Sequence, residues 1–319
     1  MSLLVKSALL LLAGLLFFAL VGLIAIWAPD KTVDELKGRW APAPSQFVAI
    51  DGLQVHLRDE GPRDDPLPIV LLHGTSDSLH TWDGWASVLQ RERRVIRFDL
   101  PGFGLTGPNP DNDYSLTRYV HFVRAVLNQR GVQRCVLGGN SLGGQIAWET
   151  ARAIPQRVAQ LVLVDAGGYA MQPQGVPLAF TLARTRSLRW MLEYVLPRGL
   201  VLSSLRNVYG DPSKVTTDLV ERYYDMALRA GNRRALGYRM DGVLANSGSG
   251  RIKELDLPTL ILWGGRDRLI PLQFGQQFAR DVAGSRLVVF DDLGHLPQQE
   301  DPMRTVLELQ KFLGGKPPN

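Results

Sequence analysis

The chain of 319 residues holds one cysteine, Cys135, so it can form no internal disulfide and offers nothing to cysteine-based zinc or redox motifs. Only five histidines are present, and no metal-ligand cluster is visible around them. No metal or cofactor is therefore expected. Internal repeats and low-complexity runs are missing too, which argues against solenoid, fibrous and disordered architectures. The net charge of +5 comes without a helix-turn-helix, zinc or RNA-binding signature. Its surplus lies in one segment: 13 basic against 8 acidic residues between Ala166 and Leu257, with 23 of each elsewhere. Nucleic acid is not an expected partner; anionic phospholipid or simple solubility fits that distribution better.

With 45% apolar residues, 21% charged residues, 32 glycines and 20 prolines, the composition is that of a turn-rich globular protein with one large domain or one domain carrying an insertion. From Ala8 to Ala28 the sequence runs ALLLLAGLLFFALVGLIAIWA without a charge. At about 1.5 Å per residue, such a helix spans a hydrocarbon core of ~30 Å. The run is too long for the apolar region of a cleaved signal peptide, Trp27 suits an interface, and Pro29 stops the helix. Residues 1–29 are therefore expected to form a single-pass anchor and 30–45 a juxtamembrane linker. Lys6 before the run and Lys31, Lys37 and Arg39 after it do not decide the orientation. Gly14 and Gly22 leave a homodimer through the anchor open, although no G-x-x-x-G occurs.

Phe47 to Arg58 reads as two alternating apolar runs about Asp51-Gly52, the pattern of a β-hairpin. Continuous apolar runs come next at 69–72, 95–98, 135–137, 161–164, 259–263 and 287–290, separated by helical stretches at 116–130, 274–282 and 302–312. Buried parallel strands with crossover helices produce this alternation, so the fold class is α/β with a mostly parallel sheet and helices on both faces. Residues 46–168 and 251–319 are read as two parts of one core. Between them, 169–250 lacks a clear strand and carries helical spacing at 188–196, 201–208 and 219–228. It is read as a helical cap inserted after the sixth strand, over the carboxyl ends of the strands where ligands bind.

Gly139-Asn140-Ser141-Leu142-Gly143 lies between an apolar strand and a helical stretch. A serine on that sharp turn faces the amide donors and positive dipole of a helix N-terminus, as an acyl-transfer nucleophile requires. Here the sequence resembles the α/β-hydrolase superfamily, over roughly Phe47 to Phe312. His73-Gly74-Thr75-Ser76 is similar to the family's oxyanion loop, and Phe98 to Gly104 to its turn after the next strand. His295, in Asp292-Leu293-Gly294-His295-Leu296-Pro297, resembles the catalytic histidine. Asp267, in Gly264-Gly265-Arg266-Asp267 and on to Pro271, matches the family's acid stretch, with Asp165 as runner-up.

The resemblance implies a triad of Ser141, His295 and Asp267, with the backbone amides of Thr75 and Leu142 as the oxyanion hole. His73 and Asp99 read as turn residues, His56 and His121 as structural, and His80 as a residue that could face the cleft. Single-anchor bacterial esterases and phospholipases A of the superfamily resemble the whole layout. That resemblance implies a membrane-anchored carboxylic ester hydrolase acting on an amphiphilic or lipid ester, single-pass, with its catalytic part outside the cytoplasm. Two alternatives stay open. One is a carbon–carbon bond hydrolase of the same superfamily, similar through Gly139–Gly144 but usually carrying Gly-Pro-Gly where this chain has Thr75-Ser76-Asp77. The other is a catalytically silent ligand-binding member.

Overall fold

The computed structural model describes residues 3–170, 178, 181–182, 185–243 and 249–314. In chain order the strands and α-helices begin with α1 (Leu3–Ile26), α2 (Val33–Trp40), β1 (Gln46–Ile50), β2 (Leu53–Glu60), β3 (Ile69–Leu72), α3 (Asp83–Leu89) and β4 (Val95–Phe98). Next come α4 (Leu116–Gln129), β5 (Cys135–Asn140), α5 (Leu142–Ala153) and β6 (Val158–Val164). The inserted helices are α6 (Arg186–Leu192), α7 (Arg198–Val208), α8 (Thr217–Leu228) and α9 (Asn232–Val243). The chain closes with β7 (Thr259–Gly264), α10 (Leu272–Asp281), β8 (Arg286–Phe290), α11 (Pro297–Glu300) and α12 (Pro302–Gly314).

The strands form one eight-stranded sheet in the order β1-β2-β4-β3-β5-β6-β7-β8. The β1–β2 hairpin turns at Asp51 and Gly52, both at positive φ, and β2 runs antiparallel to β4. From β4 to β8 all pairs are parallel. Alternate residues of each central strand enter opposite cores: Val70 and Leu72 of β3 pack with α4, α5 and α10, whereas Ile69 and Leu71 pack with α3 and α12. Burial on both faces explains why these strands read as unbroken apolar runs. The fold class is thus α/β, with a mostly parallel sheet covered by helices.

The single-pass anchor expected over residues 1–29 is borne out only as a helix. The segment is helical as α1, and the side chains of Leu3, Leu4, Ala8, Ala19, Leu20, Leu23 and Ala25 lie outside the described residues. Among the described residues no helix is long and apolar enough to cross a membrane. The segment leaving α1 is docked on the inserted helices. Ala28 N–H donates to the Tyr194 carbonyl, Lys31 N–H to Leu228, and Leu196 N–H to Ile26. These bonds explain a correction: the helix expected over 188–196 ends at Leu192, because the next residues bridge back to Trp27 before Pro197 begins the next turn. The stretch after α1 forms α2, started by a reciprocal Thr32–Glu35 capping box and held by buried Leu36 and Trp40.

Candidate active site

Ser141 sits between β5 and α5 with φ 55° and ψ −116°, a strained backbone for a residue with a Cβ. Neighbouring glycines make that turn feasible. A Cβ on Gly139 would lie 2.2 Å from the Gly143 carbonyl oxygen, and one on Gly143 would lie 2.2 Å from the Leu72 carbonyl oxygen. The turn is locked by Ser141 N–H donating to Val164, while the Ser141 carbonyl accepts from Gln145 and Gly167, each at 3.0 Å. Leu142 opens α5, Thr75 lies on the loop after β3, and neither backbone amide donates within the fold among the described residues.

His295 and Asp267 reach the same sheet edge from the loops after β8 and β7, and both are buried. Their Nδ1 and Oδ2 atoms are 2.6 Å apart. The other carboxylate oxygen of Asp267 accepts from Leu269 N–H at 2.7 Å and Ile270 N–H at 2.9 Å. With Nδ1 engaged by Asp267, Nε2 is the ring nitrogen of His295 left without a hydrogen bond in the fold among the described residues. Ser141 and His295 line one cavity, although no hydrogen bond joins the serine hydroxyl to the imidazole in this conformation. Catalytic hydrogen bonds often tighten only with substrate bound.

Asp165 is not the partner of His295. It is fully buried with φ 42°, and its Oδ1 accepts from Gly264 N–H at 2.9 Å. Burial first, then the charge of Asp267, push its carboxyl well above the usual range. Asp165, Asp267 and His295 are the one group among the described residues whose ligand atoms crowd within 4.8 Å, as at a metal site. Two ligands about 2.1 Å from one ion stand farther apart than the 2.6 Å between Asp267 and His295, so the pair is a hydrogen bond rather than a metal clamp.

Two further side chains, those of Asn140 and Glu300, hold this edge together. Asn140 donates through Nδ2 to the carbonyls of Val164 at 3.1 Å and His295 at 3.0 Å, tying the serine turn to the histidine loop. Glu300 accepts from Gly210 and Gly294 N–H at 2.9 Å and from Asp211 N–H at 2.8 Å. His295 N–H donates to Val208 at the end of α7, so the insertion grips the histidine loop directly. The spacing of Asn140 beside the nucleophile was visible, but its donation across to another loop is a tertiary fact.

The other buried histidines are structural. His73 donates from Nδ1 to Gly74 and accepts from Leu100 N–H at Nε2. His56 pairs with Asp99 at 2.7 Å, and Asp99 also accepts from Leu79 and Leu105 N–H. Burial favours the neutral acid at Asp99, but the paired His56 outweighs it and holds the carboxyl low. His80 does not face the cavity: it bonds the Trp40 carbonyl and the Ser78 hydroxyl. Burial pushes it down to about 3, and it stays neutral at physiological pH.

The cavity over Ser141 and His295 has a volume of about 180 Å³. Its outer wall is apolar and comes from the inserted helices through Leu200, Val201, Leu205 and Ala227, while Thr75, Asp77 and Arg233 add polar patches. Most of its lining therefore comes from a segment with no catalytic motif.

Residues 68–302 match a family described as alpha/beta hydrolase fold. Among curated proteins, the 2-hydroxy-6-oxo-2,4-heptadienoate hydrolase of Pseudomonas putida F1 is 29% identical over 282 residues, covering 85% of this chain and 96% of that protein. Among solved structures, a meta-cleavage product hydrolase from Pseudomonas fluorescens IP01 is similar with a TM-score of 0.73 at 24% identity, covering 85% of this chain and 97% of that one. A bacterial membrane phospholipase A has a TM-score of 0.72 at 24% identity and covers 97% of both chains.

Proposed function

The chain belongs to the alpha/beta hydrolase family, and from that premise we propose that it is a serine-dependent hydrolase of acyl compounds with Ser141 as nucleophile, His295 as base and Asp267 as orienting acid. The observation that carries this reading is the 2.6 Å bond between His295 Nδ1 and Asp267 Oδ2, beside a cavity that Ser141 also lines. Ser141 Oγ attacks the carbonyl carbon while His295 Nε2 takes its proton. The carbonyl oxygen becomes an oxyanion, and the amides of Thr75 and Leu142 are its donors. Collapse expels the leaving group, which takes the proton from His295 and leaves an acyl-Ser141. Water then adds by the same proton route, releasing the acid and restoring the serine.

Two leaving groups fit this chemistry. Cleavage of a carbon–carbon bond next to a ketone has the stronger support, because the Pseudomonas relatives carry the names of such hydrolases. Carboxylic ester cleavage, the reaction expected first from the sequence, is the second reading. It is favoured by Thr75-Ser76-Asp77 in place of Gly-Pro-Gly, by the apolar cavity wall, and by likeness to a membrane phospholipase A over almost the whole chain. In that reading α1 is a membrane anchor, since Leu10, Leu11, Phe18 and Ile24 along it are largely exposed and need an apolar surrounding. The bilayer, an amphiphilic substrate, a homodimer through α1 and an extracytoplasmic catalytic part belong to this second reading.

The test is fluorophosphonate labelling, expected in the wild type and lost in Ser141→Ala, beside kcat/KM for a 2-hydroxy-6-oxo-dienoate, p-nitrophenyl butyrate and a lysophospholipid. Preference for the dienoate selects carbon–carbon cleavage, and preference for either ester selects the second reading. A folded wild type that neither labels nor turns over any of the three is a silent ligand binder, and the proposal fails.

A further inference from the structure

Beside the catalytic cavity lies a small recess of about 30 Å³ that shares Ser76, Asp77, Ala227, Arg233 and Leu236 with it, so the two spaces adjoin. Arg233, 6% exposed, donates through Nη2 to Asp30 Oδ1 at 2.6 Å, while its Nε and Nη1 have no hydrogen-bond partner. Unpaired donors on a buried charged group are costly, and they mark where a ligand atom belongs. Asn232, 5% exposed, donates from Nδ2 to the carbonyls of Gly104 and Met226, which fixes the amide and leaves Oδ1 as an unpartnered acceptor. Asp77, buried on the facing loop, accepts from Ser78 N–H through Oδ1 and has no partner at Oδ2.

We propose that Arg233 is the anchor of a polar subsite that takes an oxyanion group carried by the substrate, a carboxylate or a phosphate, and that Asp30 tunes its affinity. Asn232 Oδ1 and Asp77 Oδ2 flank that group and take a hydroxyl next to it. Burial first, partly offset by His73 and Arg222, pushes the Asp77 carboxyl up, so it repels an incoming anion less than an ordinary aspartate. Asp30 competes with the substrate for one guanidinium. Its side chain is 42% exposed, so water screens its charge, and it leaves two of the three guanidinium nitrogens to the ligand. It also accepts from Gly231 N–H at 2.9 Å, so the residue that tempers Arg233 belongs to the segment leaving α1.

The inference rests on the serine-hydrolase reading of the cavity, and the test separates the two. The full chain is assayed with p-nitrophenyl butyrate, p-nitrophenyl hydrogen glutarate and the p-nitrophenyl ester of 4-phosphonobutanoate. Hydrolysis of the butyrate alone tests the hydrolase reading; the ratio of kcat/KM for each acidic ester to that for the butyrate tests the subsite. In Arg233→Gln the ratio for the preferred acidic ester falls at least tenfold, and Arg233→Lys restores part of it. In Asp30→Asn, which keeps the bond to Gly231, the ratio rises two- to tenfold. A purely structural ion pair would move the ratio the same way, or not at all, in both variants, and either result overturns the proposal. So does a wild type with no preference for either acidic ester. The glutarate arm identifies a carboxylate source and the phosphonate arm a phosphate source. If Arg233→Gln does not fold, the sign of the Asp30→Asn change decides the matter alone.

Discussion

Asp99 and Asp267, at the carboxyl edge of the sheet, each meet a histidine and two backbone amides, whereas Arg222, Arg233 and Arg239 in the inserted helices carry guanidinium nitrogens with no hydrogen-bond partner. At the sheet edge these two carboxylates are held, the serine turn is strained and locked, and the loops are cross-linked by Asn140 and Glu300, while Asn140 Oδ1 and Asp165 Oδ2 keep no hydrogen-bond partner. In the insertion these three guanidinium groups keep unpaired nitrogens, beside surface ion pairs such as Arg234–Glu193. An edge of the first kind keeps reacting atoms in place, while a wall of the second kind leaves donors for something that arrives.

The acid pair is where this contrast is most exposed to test. Asp267→Asn keeps the shape but removes the acceptor for Nδ1–H and favours the wrong tautomer, so kcat should fall by about 10⁴ in an ester assay, with folding intact by circular dichroism. Asp165→Asn keeps the size of the side chain and an acceptor for Gly264 N–H, and should leave kcat within about threefold. A large loss in Asp165→Asn with a small one in Asp267→Asn would reverse the assignment.

Packing gives the next contrast. Phe278 is fully buried against Tyr169 and Trp263, and Phe278→Ala should cost about 3–5 kcal/mol in urea unfolding. Leu200 is half-buried on the cavity wall, where truncation enlarges a space already present. Leu200→Ala should cost about 1 kcal/mol or less and appear mainly as a raised KM for longer acyl chains. Equal losses of stability would mean that the insertion is as tightly packed as the core.

The effects of pH on stability oppose each other. His80 has a folded value lowered to about 3, so its contribution is whole above its unfolded value near 6.5 and is lost as pH falls from there. The slope is about 1.4 kcal/mol per pH unit, and the difference in unfolding free energy between wild type and His80→Gln should shrink as the buffer is acidified. Asp165 has a raised folded value, so its contribution is present below its unfolded value near 3.9 and is lost as pH rises above that. Asp165→Asn should therefore raise the Tm more at pH 8 than at pH 4. Failure of either trend would remove the corresponding protonation assignment.

Strands β3 and β4 have the boundaries read from their apolar runs, because burial on both faces writes itself into the sequence as unbroken Ile, Val, Leu and Phe. Strand β5 runs past Leu137 to Asn140, since Gly138 and Gly139 carry no side chain by which a strand could be recognised. Helix α9 escaped notice because its stretch, rich in arginine and glycine, lacks an apolar stripe. Ser141, Asp267 and His295 were legible from their local motifs. Asn140, Glu300 and Arg233 were not, because each acts through partners far away in the chain.

Local order alone determined the α/β alternation, the strained serine turn and the three loops that carry titratable groups, since each depends on residues within one turn or strand. Only the tertiary structure decided which acid meets His295, which one has its carboxyl pushed up by burial, and where Arg233 is left without a full set of partners. Those outcomes depend on distance and dielectric between segments up to two hundred residues apart, and neither quantity is written in any local stretch of sequence.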